Sequence, residues 1–532
     1  MRILFAALHN GYYRNLDSVV EELARRGHEI RLGAEREDSS FGGQPIVDRL
    51  TAAYRNVSSV RTAVRDQESL FLASKIRFAI DYLRYLEPAY TPTSGVRVRA
   101  RERTPTAMLR LSTSPALAWR PMRRLVSVTL DSVDRAVPAC PHIERFLDLQ
   151  RPDLMVVTPL VGLVACSQID LLRSALHRGI ASAVMVWSWD HLSSKALIRD
   201  TPDALFVWND IQKREATTLH RVPAGRVLVT GAQCYDRWFG RRPTRSRTEF
   251  VRHVGLDDER PYVMWTGSAL LPGTPPETRI FMRWAEQLRR SSDPRLRDVP
   301  ILLRPHPSRT AEWSDGAWNS VGNVVMFGGP PVDDQGRDDY FESLYYSAAV
   351  VGITTSVFLE AAVVGRPVMS FYADDLRPEH EDSLHFQHLA DPEHGLLTMG
   401  DSLEEHAQQL ASVLSGPPQG MLRRQDRFVR TFIRPRGFDI SATSVVADAL
   451  EQLPAARRIG ASAASSTLGR LGWHQVQRLE RSPRWRHLIL DEREIDREAR
   501  ISEKARGRAQ ELAQKRMAKA QALARKRAVK TR

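Results

Sequence analysis

The chain has 532 residues, 42% hydrophobic and 26% charged, which excludes a disordered or membrane-embedded protein and, at this length, a single hydrophobic core. Three cysteines, Cys140, Cys166 and Cys234, give neither a metal-ligand spacing nor a cross-linking framework and predict a reducing, cytoplasmic setting. The net charge of +14 is uneven: residues 501–532 hold eleven Lys or Arg against Glu503 and Glu511, leaving +5 for the preceding 500.

The apolar run at residues 3–8 predicts a buried first strand, too short for a signal-peptide core. The loop His9-Asn10-Gly11, a helix over 16–26 stopped by Gly27 and a strand over 28–32 complete the opening of a βαβ unit. Apolar positions at helical spacing predict one long helix over about 60–85. The stretch from Arg97 to Arg124, eight Arg against Glu102, reads as a basic insertion. With the C-terminal run it suits an anionic partner such as the inner face of a membrane, to which the protein would be peripheral.

From Ile143 short apolar strands alternate with helices as far as RVLVTG, the signature of a parallel sheet covered on both faces. Residues 238–260 are polar, Arg-rich and without periodicity, as a linker would be. A second alternating set starts at Pro261 with PYVMWTG and runs through VPILLRPHP, NVVMFGG, AVVGITT and RPVMSFY. Two longer apolar stretches, 154–166 and 348–365, are respectively too short and too polar to span a bilayer.

The expected organisation is α/β: a doubly wound N-terminal domain over 1–239 with a helical insertion near 60–130, a linker over 240–260, and a second doubly wound domain over 261–436. A closing helix over 437–453 and a basic tail over 454–532, helical or disordered and without a third core, would follow.

Ligands of parallel sheets collect beyond the carboxyl ends of the strands. Thr354, Thr355 and Ser356 occupy one such strand-to-helix turn, where hydroxyls and free N–H groups can cradle a diphosphate. Glu360 follows Ser356 by one helical turn in an otherwise apolar helix, placed to accept from a ribose diol; an ordinary capped helix would show a similar pattern. Arg304 and His306 follow the apolar strand PILL, stiffened by Pro305 and Pro307, and suit phosphate. Gly267 and Ser268 after PYVMWT are a weaker pair, since such a turn needs no ligand.

In the first half, His9 is a candidate general base, with Asn10 and Gly11 on the acceptor side. The loop WSWDH offers Asp190 and His191 as further catalytic candidates. Packing roles compete with each of these. The chain lacks a Walker lysine loop, GxGxxG after its first strand, HExxH, GxSxG and any metal-ligand cluster, so the expected chemistry uses neither metal nor cofactor.

RPHP, DDYFESLYYSAAVVGITTSVFLEAAVVGRPV and FIRPRGFDISAT together resemble the donor domain of GT-B glycosyltransferases, two Rossmann-like domains facing across a cleft. The nearest relatives suggested are capsule-polysaccharide and CDP-glycerol glycerophosphotransferase-like proteins. SWDHLSSK, VWNDIQKREA and VTGAQCYDRW resemble the acceptor side of the same superfamily. The resemblance implies donor-phosphate roles for Arg304, His306, Thr355 and Ser356, and a donor-ribose role for Glu360. It implies transfer of a sugar from a nucleotide-diphosphate donor to a glycan or lipid-linked acceptor. Thr354-Thr355-Ser356 replaces the Ser-Gly-Gly turn of sugar-nucleotide epimerases, and SWDH replaces the Trp-His-Gly element of glycerophosphotransferases; both remain as alternatives. The competing non-enzyme reading is a polyanion-binding protein acting through the tail, with nucleic acid the less favoured partner.

Overall fold

The computed structural model describes residues 1–36, 43–91, 94–160, 164–256, 260–270, 274–372, 383–456, 466–491 and 493–497. Two parallel sheets dominate it. The first has the order β3-β2-β1-β4-β5-β6-β7. Its strands are β1 (Arg2–His9), β2 (Glu29–Arg36), β3 (Val57–Arg61), β4 (Leu154–Thr158), β5 (Ala181–Met185), β6 (Ala204–Val207) and β7 (Val227–Val229). The second has the order β10-β9-β8-β11-β12-β13. It comprises β8 (Val263–Thr266), β9 (Ile301–Arg304), β10 (Val324–Met326), β11 (Ala349–Gly352), β12 (Val368–Phe371) and β13 (Thr398–Gly400).

Both sheets are doubly wound and face each other across a cleft, the arrangement of the GT-B fold. Their apolar strands follow from two-sided burial. On β1, Ile3, Phe5 and Ala7 enter one core while Leu4 and Ala6 enter the core on the opposite face; Val263 and Trp265 against Met264 repeat this on β8.

Three expectations are corrected. Residues 57–61 form edge strand β3 and the helix that follows begins only at Gln67, because VSSVR is a half-polar edge sequence with no helical stripe. The stretch 240–260 contains a helix, Arg247–Val254, nucleated by a Ser246/Glu249 capping box and anchored by fully buried Phe250 and Val251. Among the described residues after Pro454, those from Ser466 to Asp491 belong to a second compact unit.

That second compact unit combines Lys75–Leu83, Ala100–Val137 and the chain from Ser465, whereas both sheets belong to the first unit. In it, helices Arg120–Arg135 and Thr467–Arg481 pack together. A Cβ on Gly469 would lie 2.2 Å from the Ser132 carbonyl oxygen, so only glycine allows this approach. Trp473, Ile489 and Leu490 are buried, as are the ion pairs Arg77–Asp134 (2.9 Å) and Lys75–Asp491 (2.7 Å). The basic run 501–532 lies outside the described residues.

In the first unit the chain returns to its starting sheet. Val446, Ala447 and Leu450 of helix Ala442–Ala456 pack into the core formed by β1 and β4. Asp236 fixes that return: it accepts from Ser441 Oγ (2.8 Å) and Thr443 N–H (2.6 Å) and pairs with buried Arg434 at 2.6 Å. No described helix is long and apolar enough to cross a membrane, and none of the three cysteines is in a disulfide.

Candidate functional site

The order of strand addition in the second, all-parallel sheet reverses between β8 and β11, and register levels the strand ends there. Thr266 pairs with Gly352 on one side and Arg304 on the other, so three strand-to-helix turns emerge side by side. Gly267 N–H donates to the Arg304 carbonyl (2.8 Å), and a Cβ on Gly267 would stand 2.3 Å from the His306 nitrogen. A side chain at 267 would force the two loops apart.

These turns open into a cleft of about 880 Å³ walled by both halves of the first unit. Gly267, Arg304, His306, Thr354, Thr355, Ser356 and Glu360 all line it; Asp190 faces it from the first half. Ser268 does not line it. This residue is fully buried, donates its N–H to Glu277 (3.0 Å) and accepts the Thr354 N–H on its hydroxyl (3.1 Å). It braces the Thr354 turn from behind, and Glu277 braces Ser268. Burial pushes the Glu277 carboxyl up to about 8, against the opposing Ser268 hydrogen bond.

Arg304 is 8% exposed and has no carboxylate partner among the described residues. Its guanidinium lies 4.4 Å over the Tyr340 ring, Nη2 donates to the Gly329 carbonyl (2.5 Å), and buried Nη1 makes no hydrogen bond. A buried cation with spare donors favours an anion beside it. Three other cleft cations are paired: Lys195 with Asp190 (3.1 Å), Arg237 with Asp17 (2.9 Å) and Arg241 with Asp338 (2.6 Å).

Tyr340, from helix Asp334–Tyr345, donates its hydroxyl to Glu360 Oε2. Burial pushes the Glu360 carboxyl up to about 7; the Tyr340 hydrogen bond and the charges of Arg14 and Arg304 oppose this only in part. His306 is held down at about 4 by burial and by Arg14 and Arg309, and is neutral at pH 7. Its Nδ1 accepts from Ser308 N–H (3.2 Å) and faces the Ser308 hydroxyl at 2.7 Å. The proton of the neutral ring therefore sits on Nε2, which is left as a donor.

The catalytic candidates of the first half separate. Asp190 faces the cleft, accepting from Ser188 Oγ (2.5 Å) and Ser194 Oγ (3.0 Å). Burial would raise its pKa, but Lys195, His385 and His191 together hold it well below the usual carboxylate range. His9 and His191 do not line the cleft. They flank an aromatic stack: His9 on Tyr12 (4.1 Å), Tyr12 on Trp187 (5.0 Å) and Trp187 edge-on to His191 (4.4 Å), with Trp187 as the cleft-facing ring. Aromatic packing engages both imidazole rings. Asn10 and Gly11 also stand outside the lining: Asn10 donates to Gln44 (2.7 Å), and Gly43 packs directly on the Gly11 backbone.

Sequence reasoning did not single out Tyr340, Arg14, Lys195, Arg99 or His385, all of which line the cleft. Tyr340 stood in the quoted aspartate-rich segment, and Arg14 closes the loop after β1; their position beyond strand ends was the available signal. Among the described residues no group of His, Cys, Asp or Glu is arranged to hold a metal ion.

No protein-family model matches the chain, and no curated protein matches it in sequence. Its fold is similar to that of several solved structures. UDP-GlcNAc 2-epimerase from Neisseria meningitidis, bound to UDP-GlcNAc, has 10% identity over 85% of this chain and 100% of its own, with a TM-score of 0.47. A glycosyltransferase from Rickettsia africae has 9% identity over 86% and 99%, with a TM-score of 0.47. UDP-GlcNAc 2-epimerase from Methanocaldococcus jannaschii has 13% identity over 85% and 100%, with a TM-score of 0.46.

Proposed function

We propose that the protein is a metal-independent glycosyltransferase that moves a sugar, or a related group, from a nucleotide-diphosphate donor to an acceptor hydroxyl in the synthesis of a cell-surface glycan or glycolipid. The observation that carries this reading is the joint position of Arg304 and Glu360. Arg304 ends β9 and Glu360 lies on the helix that follows β11; they meet through Tyr340 and line the same cleft. The diphosphate lies against Arg304, His306 and the Thr354–Ser356 turn, and the Glu360 carboxylate accepts from the ribose diol.

Asp190, ionised and facing the cleft from the opposite wall, receives the proton of the acceptor hydroxyl as that oxygen attacks the anomeric carbon. The bond from that carbon to the diphosphate oxygen breaks, and the leaving group carries the electron pair. Arg304 and the Nε2 proton of His306 stabilise the charge that accumulates on it. Asp190 is preferred to His9 and His191 in this role because it alone of the three lines the cleft.

The test screens nucleotide sugars for thermal stabilisation; a ligand at a hundred times its Kd adds about 2.7 kcal/mol. Release of nucleoside diphosphate in the presence of acceptor hydroxyl compounds is then followed. Glu360→Ala and His306→Ala are expected to lose turnover while staying folded, and Asp190→Asn to keep donor binding without turnover. Full turnover in both donor-site variants would refute the assignment. Sugar isomerisation without any acceptor would establish epimerase chemistry instead.

A further inference from the structure

The charge of this protein is partitioned by its architecture. The described residues of the second compact unit carry a formal charge of +8. A positive charge of that size suits an anionic partner.

The same unit exposes large apolar side chains. Trp119, Leu125, Val128, Leu468 and Leu471 are between 52% and 79% exposed. Leu125 and Val128 follow one another at helical spacing on Arg120–Arg135, and Leu468 and Leu471 do so on Thr467–Arg481. The helices that carry the two pairs are in contact, with Gly469 packed on the carbonyl of Ser132, one turn beyond Val128. Arg120, Arg124 and Arg470 are exposed among them.

We propose that this helical unit docks the protein on an anionic lipid bilayer, the leucines, Val128 and Trp119 entering the headgroup boundary and the arginines meeting lipid phosphates. Aliphatic side chains framed by arginine and tryptophan are the composition of an interfacial surface. A nucleic acid engages such a surface mainly through its phosphates, which use the arginines but leave most of the exposed leucine and valine area in water. A second copy would bring two positive units together. Docking here is independent of what the cleft binds.

The test is co-sedimentation of the full chain with phosphatidylcholine vesicles, with and without about 30% phosphatidylglycerol. Binding is expected only to the anionic vesicles, and to fall in about 0.5 M salt. Leu125→Ser/Leu468→Ser is expected to weaken it by more than about tenfold, and Arg120→Glu/Arg124→Glu by roughly fivefold for each charge removed. All four positions are exposed, so the melting temperature and nucleotide-sugar binding should not change. The proposal is overturned if no vesicle binding occurs, or if the leucine variant binds anionic vesicles as well as the parent. It is also overturned if binding to polyuridylate exceeds vesicle binding, or if a dimer is found that the leucine variant dissolves.

Discussion

The Tyr340 hydroxyl donates to the Glu360 carboxylate from the neighbouring helix while the Tyr340 ring carries the Arg304 guanidinium on its face. One side chain thus sets the spacing between a cation suited to phosphate and a carboxylate suited to a sugar diol. Tyr340→Phe keeps the stacking and removes the hydroxyl. Nucleotide-sugar affinity, measured calorimetrically, is expected to weaken by about tenfold, the usual worth of a hydrogen bond to a charged group. The apparent pKa governing that affinity should rise, because the hydroxyl favours the ionised form. Unchanged affinity and pH profile would show that Tyr340 serves packing alone.

The elevated Glu360 carboxyl gives binding a pH dependence of definite sign. It accepts from a diol most strongly when ionised, so affinity for a nucleotide sugar, whose diphosphate diester does not titrate in this range, should increase as pH rises through about 7. In Glu360→Gln the dependence should vanish and the affinity be low throughout. Affinity that falls between pH 6 and 8 would contradict the donor-ribose assignment.

Glu277 makes the opposite kind of prediction, about stability. Its folded pKa, about 8, lies above the ordinary 4.5, so between those values the native state holds a proton that the unfolded chain has lost. Stability contributed at this site is therefore greatest at low pH and declines as pH climbs through that window, by on the order of several kcal/mol. Chemical denaturation of the parent and of Glu277→Gln at pH 5.5 and 8 should show a smaller decline in the variant. Equal slopes would place the proton elsewhere.

Asp236 offers a purely structural test. It neutralises buried Arg434 and caps the helix that returns to the first sheet, so Asp236→Ala leaves a buried cation and orphaned helix donors. A loss of about 3–5 kcal/mol is expected, read as a lowered denaturation midpoint. Asp236→Asn, which keeps acceptors for the helix, should recover part of it. If Ala and Asn variants were both as stable as the parent, the return helix would be held by its apolar contacts only.

Much of the architecture could be read locally. Two-sided burial writes itself as short apolar runs, and PYVMW, PILL and AVVG each became strands of the second sheet with their polar turns at the carboxyl ends. Two of the four edge strands hid: β3, at one rim of the first sheet, is the half-polar VSSVR, and β13, at one rim of the second, is the short TMG. The helix Arg247–Val254 hid among arginines, with only Phe250, Val251 and Val254 turned inward.

The sequence by itself therefore determined where the turns lie and which of them carry phosphate-compatible side chains, since periodicity and turn chemistry act between near neighbours. Only tertiary structure decided which turns converge. β8 runs between β9 and β11, bringing Arg304 level with the Thr354 turn across forty-odd intervening residues. The motifs VTGAQCYDRW and FIRPRGFDISAT were both visible, yet their meaning is the Asp236–Arg434 pair that joins them. His9 and Asp190 looked alike as strand-end candidates; aromatic packing turned one away from the cleft and left the other facing it. Convergence and side-chain direction depend on strand order, register and packing against distant residues, and no local pattern encodes these.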